Sequence, residues 1–379
     1  MLVIVSGDYG ELGGAMYFLR GLGLAEPPTV LLPQSLAHAV GPSGQMHVHA
    51  YVSLADIEGH LAAVRPQAVM LFSGYLLAIG PRFSLFNALS LLRTLRRAGV
   101  TVLTSDPFIG LIHGPAALDF SCVLGTGGTA FGRKLRSWHL ALRLALLKRQ
   151  LRSCWHIYPS PIERLHHGAH LARSLSYFNA PEAVGSGRSA QAQAQPSWLF
   201  VLSQIDGLMQ SRSTDFAQQL AQRLEDTVRL GRVAVLVAPG FVLEAVRQRV
   251  GSLAGVVLVA NEGFHDFMQR LMEAEYAFFW NYYSFSVIHR IIAGRPVFFF
   301  DEGHMVHILP ALHDAGITLF YGGWRPPLVA IGSPLAEAVL EERAADSRLR
   351  FEGIVDGLHR CESPGSVLAA AMSGERSGQ

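Results

Sequence analysis

The residues best suited to chemistry lie between Glu262 and His304. Ser284 and Ser286 head a helical segment, just after the apolar run Tyr276-Ala277-Phe278-Phe279-Trp280 and the polar turn that begins at Asn281. The first N–H groups of a helix have no partner within it, and the helix dipole is positive there. Hydroxyls at that end therefore favour a bound anion. A second set lies near the N-terminus, where Gly7-Asp8-Tyr9-Gly10-Glu11-Leu12-Gly13-Gly14 carries two carboxylates, Asp8 and Glu11, on a glycine-rich turn. Carboxylates at the rim of a site can accept the proton of an attacking hydroxyl. Asp106 and His113 are further candidates for that role.

Other chemistries fit less well. The first glycine turn is readable as a plain strand-to-helix turn that needs glycine for backbone freedom. A dinucleotide loop needs G-x-G-x-x-G; this turn has Gly7-x-x-Gly10-x-x-Gly13-Gly14, and Thr29-Val30-Leu31-Leu32 runs into Pro33 without an acid, so NAD is disfavoured. The run Gly125 to Lys134 nearly spells a phosphate loop, but Arg133-Lys134-Leu135 replaces the required G-K-[ST], and a surface loop is expected instead. The histidines, His166-His167 and His304 with His307 among them, lack carboxylate or cysteine neighbours at ligand spacing. Cys122, Cys154 and Cys361 stand far apart. Neither a metal, a cofactor nor a disulfide framework is expected.

The elements that must position these groups alternate. Leu2 to Ser6, Thr29 to Leu32, Ala68 to Phe72 and Val100 to Thr104 read as buried strands. Ser53 to Val64, with a Ser cap and Asp56 in its first turn, and Phe83 to Ala98 read as helices. Phe120 to Leu124 is strand-like, and Cys154 to Tyr158 is a further strand. Residues 183–197, rich in Gly, Ser, Ala and Gln, read as a flexible linker. Trp198 to Ser203 restarts the pattern. Gln204 to Ser213 is expected to be a polar loop; Asp215 to Leu230, Leu243 to Val250 and Phe264 to Ala274 helices; Val233 to Ala238 and Val256 to Ala260 strands. Gly294 ends the helix that Ser284 opens, Pro296 blocks its continuation, and Val297 to Phe300 is the next strand. The expected organisation is α/β: a Rossmann-like domain over 1–182, a linker over 183–197, a second Rossmann-like domain over 198–335, and terminal helices over 336–379.

The unit of strand, anion-ready turn, helix, Gly-x-Pro and strand resembles the donor half of GT-B glycosyltransferases. With the pattern of the first half, the resemblance implies two Rossmann-like domains facing across a cleft. The run Asp8-Tyr9-Gly10-Glu11-Leu12-Gly13 is also similar to the N-Y-G-D-I-G run of bacterial protein-arginine rhamnosyltransferases, in which the acid aligned with Glu11 belongs to the active site. The resemblance implies a nucleotide-sugar donor and a glycan, lipid-linked or protein acceptor, without a metal. Glu11, then Asp8, would be the base. Ser203 and Gln204 would meet the donor phosphate, with Arg212 as counter-charge. Asn261, Glu262, Gly263 and Phe264 would border the nucleobase, and Ser284, Phe285 and Ser286 would cradle the phosphates. Many members place a glutamate after that turn, whereas this chain has His289-Arg290, so Arg290 could meet a phosphate or an acidic sugar. That departure leaves open a non-catalytic scaffold in surface-polysaccharide assembly. A sugar-nucleotide epimerase or a pyruvyltransferase of the same shape also stays open, with a dehydrogenase third.

Composition sets outer limits. The chain has 379 residues, enough for two cores, and a net charge of +2, which argues against a general nucleic-acid binder. The N-terminus has no basic leader, so a cytoplasmic protein is expected. Arg133 to Arg152 holds seven cations and no acid, interleaved with leucines and Trp138. It reads either as a core helix with a basic edge or as a contact with an anionic membrane surface.

Overall fold

The computed structural model describes residues 1–6, 9–37, 39–40, 46–79, 83–105, 119–121, 124, 129–158, 174–176, 195–260 and 263–374. The first lobe runs β1 (Leu2–Val5), α1 (Tyr9–Arg20), β2 (Thr29–Pro33), α2 (Gln34–Ala37), β3 (His47–Tyr51), α3 (Leu54–Val64), β4 (Ala68–Phe72), α4 (Leu76–Ile79), α5 (Leu85–Arg97), β5 (Thr101–Ser105), α6 (Ala130–Leu151), β6 (Trp155–Tyr158) and β7 (Ser174–Ser176). The second runs β8 (Ser197–Val201), α7 (Gln204–Gln210), α8 (Phe216–Arg229), β9 (Val233–Val237), α9 (Gly240–Arg247), β10 (Val256–Val259), α10 (Phe264–Glu273), β11 (Tyr276–Phe279), α11 (Phe285–Ile292) and β12 (Val297–Phe299). After β12 come α12 (Met305–Ile308), α13 (Pro310–Leu319), α14 (Glu337–Leu358) and α15 (Pro364–Ser373).

Two separate parallel sheets result, ordered β3-β2-β1-β4-β5-β6-β7 and β10-β9-β8-β11-β12. Each starts in its middle, grows to one side, then crosses to the other side of its first strand. That reversal opens a crevice at the carboxyl ends of β1 and β4 in one sheet and of β8 and β11 in the other.

Local sequence accounts for most elements. β1 and β4 are buried on both faces, as short unalternated apolar runs require. Ser53 and Asp56 form a capping box at the head of α3. In the second sheet the two-residue period sends Trp198, Phe200, Phe278 and Phe300 to one face and Leu199, Ala277 and Phe279 to the other. The Phe200 and Phe278 rings stack with centroids 4.7 Å apart.

Three expectations need correction, and one strand was not foreseen. Residues 204–210 form a helix rather than a polar loop, because Ser203 caps it through the Asp206 N–H. Around Phe120 the described residues are not in a strand, and the Leu124 N–H bonds back to the Phe120 carbonyl in a turn. β3, an edge strand with most of its side chains exposed, has no apolar run to announce it. Ser197, assigned to the linker, begins β8, while residues 183–194 of that linker lie outside the described residues.

The lobes are joined as well as apposed. One apolar cluster continues from the first sheet through α1 and α11 to one face of the second sheet. The chain also returns at its end, where α15 lies against β5 of the first lobe.

Candidate functional site

The crevice of the second sheet is built on a buried carboxylate. Asp206, in the first turn of α7, is 1% exposed. Its Oδ2 accepts hydrogen bonds from Ser203 Oγ at 2.6 Å and Asn281 Nδ2 at 2.6 Å, and its Oδ1 accepts one from His304 Nδ1 at 2.9 Å. Burial pushes the Asp206 pKa up, but the His304 bond and charge, with the Ser203 and Asn281 bonds, outweigh it. The carboxyl stays below its usual range. An ionised carboxylate only accepts, so His304 Nδ1 carries the proton that it shares with Asp206. The His304 side chain is 23% exposed. Asn281 Oδ1 is buried with no hydrogen-bond partner among the described residues. Gly303 makes the approach possible: its φ is +96°, and a Cβ there would lie 2.4 Å from the Asn281 Cβ. Beside this cluster Gln210 Nε2 donates to Asp301 Oδ2 at 2.5 Å.

The anion-ready turn lies at the same edge. Ser284 caps α11 by accepting from the Val287 N–H at 3.2 Å, which leaves earlier N–H groups of the turn without a helical partner. Ser284, Phe285 and Ser286 are half-buried. Ser203 and Gln204 follow β8, the strand paired with β11, so the sheet brings both predicted phosphate groups together. Ser203 Oγ, however, is already engaged by Asp206.

Arg290 does not reach this edge. It is 0% exposed, and its Nη1 and Nη2 donate to the carbonyls of Leu271, Ala274, Glu275 and Pro296 at 2.7–3.1 Å. Burial, with the nearby Arg295 charge, pulls its pKa down to about 9. Its geometry is that of a brace tying α11 to the ends of α10 and β12, which corrects the expected phosphate or acidic-sugar contact. Arg212 is likewise engaged, since its Nη2 donates to the carbonyls of Ser121 and Leu124 in the first lobe.

The two lobes touch between α1 and α11. The Phe285 ring rests against Gly13, where a Cβ would lie 2.9 Å from Phe285 Cδ1, and its centroid is 4.8 Å from that of Tyr17. Tyr17 Oη and His289 Nε2 are 2.6 Å apart. Burial raises the Tyr17 pKa to about 12 and, with the Arg20 charge, lowers that of His289 to about 4, so both groups are neutral near pH 7. Nearby, the Phe264 N–H donates to the Ala39 carbonyl at 2.8 Å, which takes up a group expected at a nucleobase. Gly263 precedes α10 as its cap. The Asp119 N–H donates to the Ile308 carbonyl of α12 at 3.1 Å, so the crevice that holds His304 lies beside the lobe boundary.

Glu11 lies in the first turn of α1, half-buried, on the helix that faces α11. Asp8, Asn261, Glu262, Asp106, His113 and the glycines 125–128 lie outside the described residues. Sequence reasoning missed Asp206 and His304. A Ser-x-x-Asp capping pattern at 203–206 was available as a signal, but nothing local joins it to a histidine 98 residues away.

No family model matches the chain, and no curated protein matches it. Solved structures do. The chain is similar to the spinosyn forosaminyltransferase SpnP, with 12% identity and a TM-score of 0.54 over 98% of both chains. It is similar to UDP-glucose:anthocyanidin 3-O-glucosyltransferase in complex with UDP, with 11% identity and a TM-score of 0.53 over 98% of this chain and 97% of that one. The H444N variant of the wall teichoic acid polymerase TagF gives 14% identity and a TM-score of 0.53 over 98% of this chain and 87% of the other. At such identities the likeness is one of fold, and the chain has the GT-B fold of these glycosyltransferases along nearly its whole length.

Proposed function

We propose that the chain is a metal-independent glycosyltransferase that moves a sugar from a nucleotide-sugar to a glycan, lipid-linked or protein acceptor. The observation that carries this reading is the convergence of Asp206, Asn281 and His304 with the head of α11 at one sheet edge. There the donor diphosphate would be met by α11 amides and the Ser286 hydroxyl. As the acceptor oxygen attacks the anomeric carbon, the sugar–phosphate bond breaks and charge grows on the diphosphate, where fixed N–H donors act most strongly. Arg290 takes no part, being held elsewhere, while Arg212, whose Nη2 bonds to the first lobe, remains a candidate counter-charge. Glu11 remains the first candidate for the acceptor's proton, and the Nε2 of His304 is a second. The setting would be cytoplasmic, in the assembly of a surface polysaccharide.

A second reading, a GT-B scaffold without turnover, is favoured by the Phe285–Gly13–Tyr17 contact that closes the space between α1 and α11. A melting-temperature panel with UDP-, GDP-, TDP- and CMP-sugars separates the two. The transferase reading expects one nucleotide class to raise Tm and Ser284→Ala with Ser286→Ala to remove that rise. Because Ser284 is also a cap, the double variant should lose about 1 kcal/mol without ligand. If no nucleotide moves Tm, the scaffold reading stands. Labelled-donor product analysis distinguishes transfer from epimerisation or pyruvyl transfer.

A further inference from the structure

The helix α6 has two apolar faces, and only one of them is covered. Leu144, Leu147 and Leu151 are 0% exposed and pack into the first lobe. Phe131, Leu135, Trp138, Leu142 and Leu146 are 78%, 54%, 64%, 44% and 45% exposed. At 3.6 residues per turn these five fall within roughly 80° of one another, about half a turn from the buried leucines, in a stripe about 22 Å long. Large apolar side chains in such a row are uncommon on a free surface.

Charge selects the occupant. No Asp or Glu occurs from Ala130 to Leu151, whereas Lys134 and Arg149 are exposed on this helix and Arg136 lies on its outer surface. A protein partner of mixed charge gives no reason to exclude acids from the whole helix. An anionic bilayer does: its headgroups meet the cations while Trp138 and the leucines enter the acyl boundary. No helix among the described residues is long and apolar enough to span a membrane. We infer that α6 is an interfacial helix that seats the first lobe on an anionic lipid surface. This goes beyond the transferase reading and does not depend on donor binding.

Flotation of the full chain with vesicles tests it. The chain should float with vesicles containing phosphatidylglycerol, weakly with pure phosphatidylcholine, and less at high salt. Trp138→Ser with Leu142→Ser should weaken binding at least about tenfold, and Lys134→Glu with Arg149→Glu should weaken it at low salt only. These positions are exposed, so circular dichroism and Tm should match wild type. Failure of the wild-type chain to float with anionic vesicles would overturn the inference, as would undiminished flotation of the Ser variant. A lipid-free dimer that the same variant dissolves would assign the stripe to a second copy and overturn it too.

Discussion

The two sheets share one strand order, yet their crevices differ in chemistry. At the carboxyl ends of β1, β4 and β5, the described residues Ser6, Ser73, Thr104 and Ser105 carry neutral hydroxyls, while Glu11 stands in the first turn of α1. Ser6 Oγ donates to the Phe72 carbonyl at 2.8 Å, Ser105 Oγ accepts from the Ser73 N–H at 2.7 Å, and Thr104 Oγ1 accepts from the Gly74 N–H at 3.2 Å. All are buried. They hold Ser73 in the left-handed region, with φ at +50°. At the ends of β8 and β11 stand an ionised carboxylate, a partly exposed imidazole bonded to it, and an amide oxygen without a partner among the described residues. The same topology thus carries buried hydroxyls that shape the chain at one crevice and a hydrogen-bonded carboxylate at the other. Fold and function are separable within one molecule.

That contrast can be broken, beginning with the largest effect. Arg290→Ala should cost about 4 kcal/mol or more, because it strands four buried carbonyls, and chemical denaturation should show it. Asp206→Ala removes the shared acceptor of Ser203, Asn281 and His304, with an expected loss of about 3 kcal/mol. Ser105→Ala, in the crevice of the first sheet, should cost only about 1 kcal/mol. Equal losses for the Asp206 and Ser105 variants would erase the distinction drawn between the crevices.

The boundary between the lobes has its own signature. Folded His289 titrates near pH 4, against 6.5 for an unperturbed histidine. Between those values the unfolded chain binds a proton that the folded chain does not. Stability from this group is therefore complete above pH 6.5 and falls by about 3 kcal/mol as pH drops towards 4. His289→Gln should flatten that part of the pH–stability curve; an unchanged slope would mean that the Tyr17–His289 contact is not what titrates. Gly13→Ala drives a methyl towards Phe285 and Phe264 of the other lobe and should cost about 1–3 kcal/mol by overpacking.

Much of the fold was legible because its signals are local. Short unalternated apolar runs marked β1, β4 and β11, and Ser53 with Asp56 marked the head of α3. The Ser284 cap and the Gly294-x-Pro296 stop were equally local, so α11 was placed to within a residue. What failed was long-range. Arg290, six residues past the cap, looked free to meet an anion, but only packing reveals that it turns inward to carbonyls on two other segments. Asp206 and His304 meet through β8, β11 and β12, and no window of sequence contains both. In α6 the leucines were visible, but which of them face out depends on where the rest of the lobe lies.

Titration calorimetry tests the central claim most directly, using whichever nucleotide raises Tm. The account predicts that Asn281→Ala weakens binding at least about tenfold, while Ser105→Ala binds as wild type does. Equal weakening by both variants, or none by Asn281→Ala, would contradict the assignment of the donor to the second crevice.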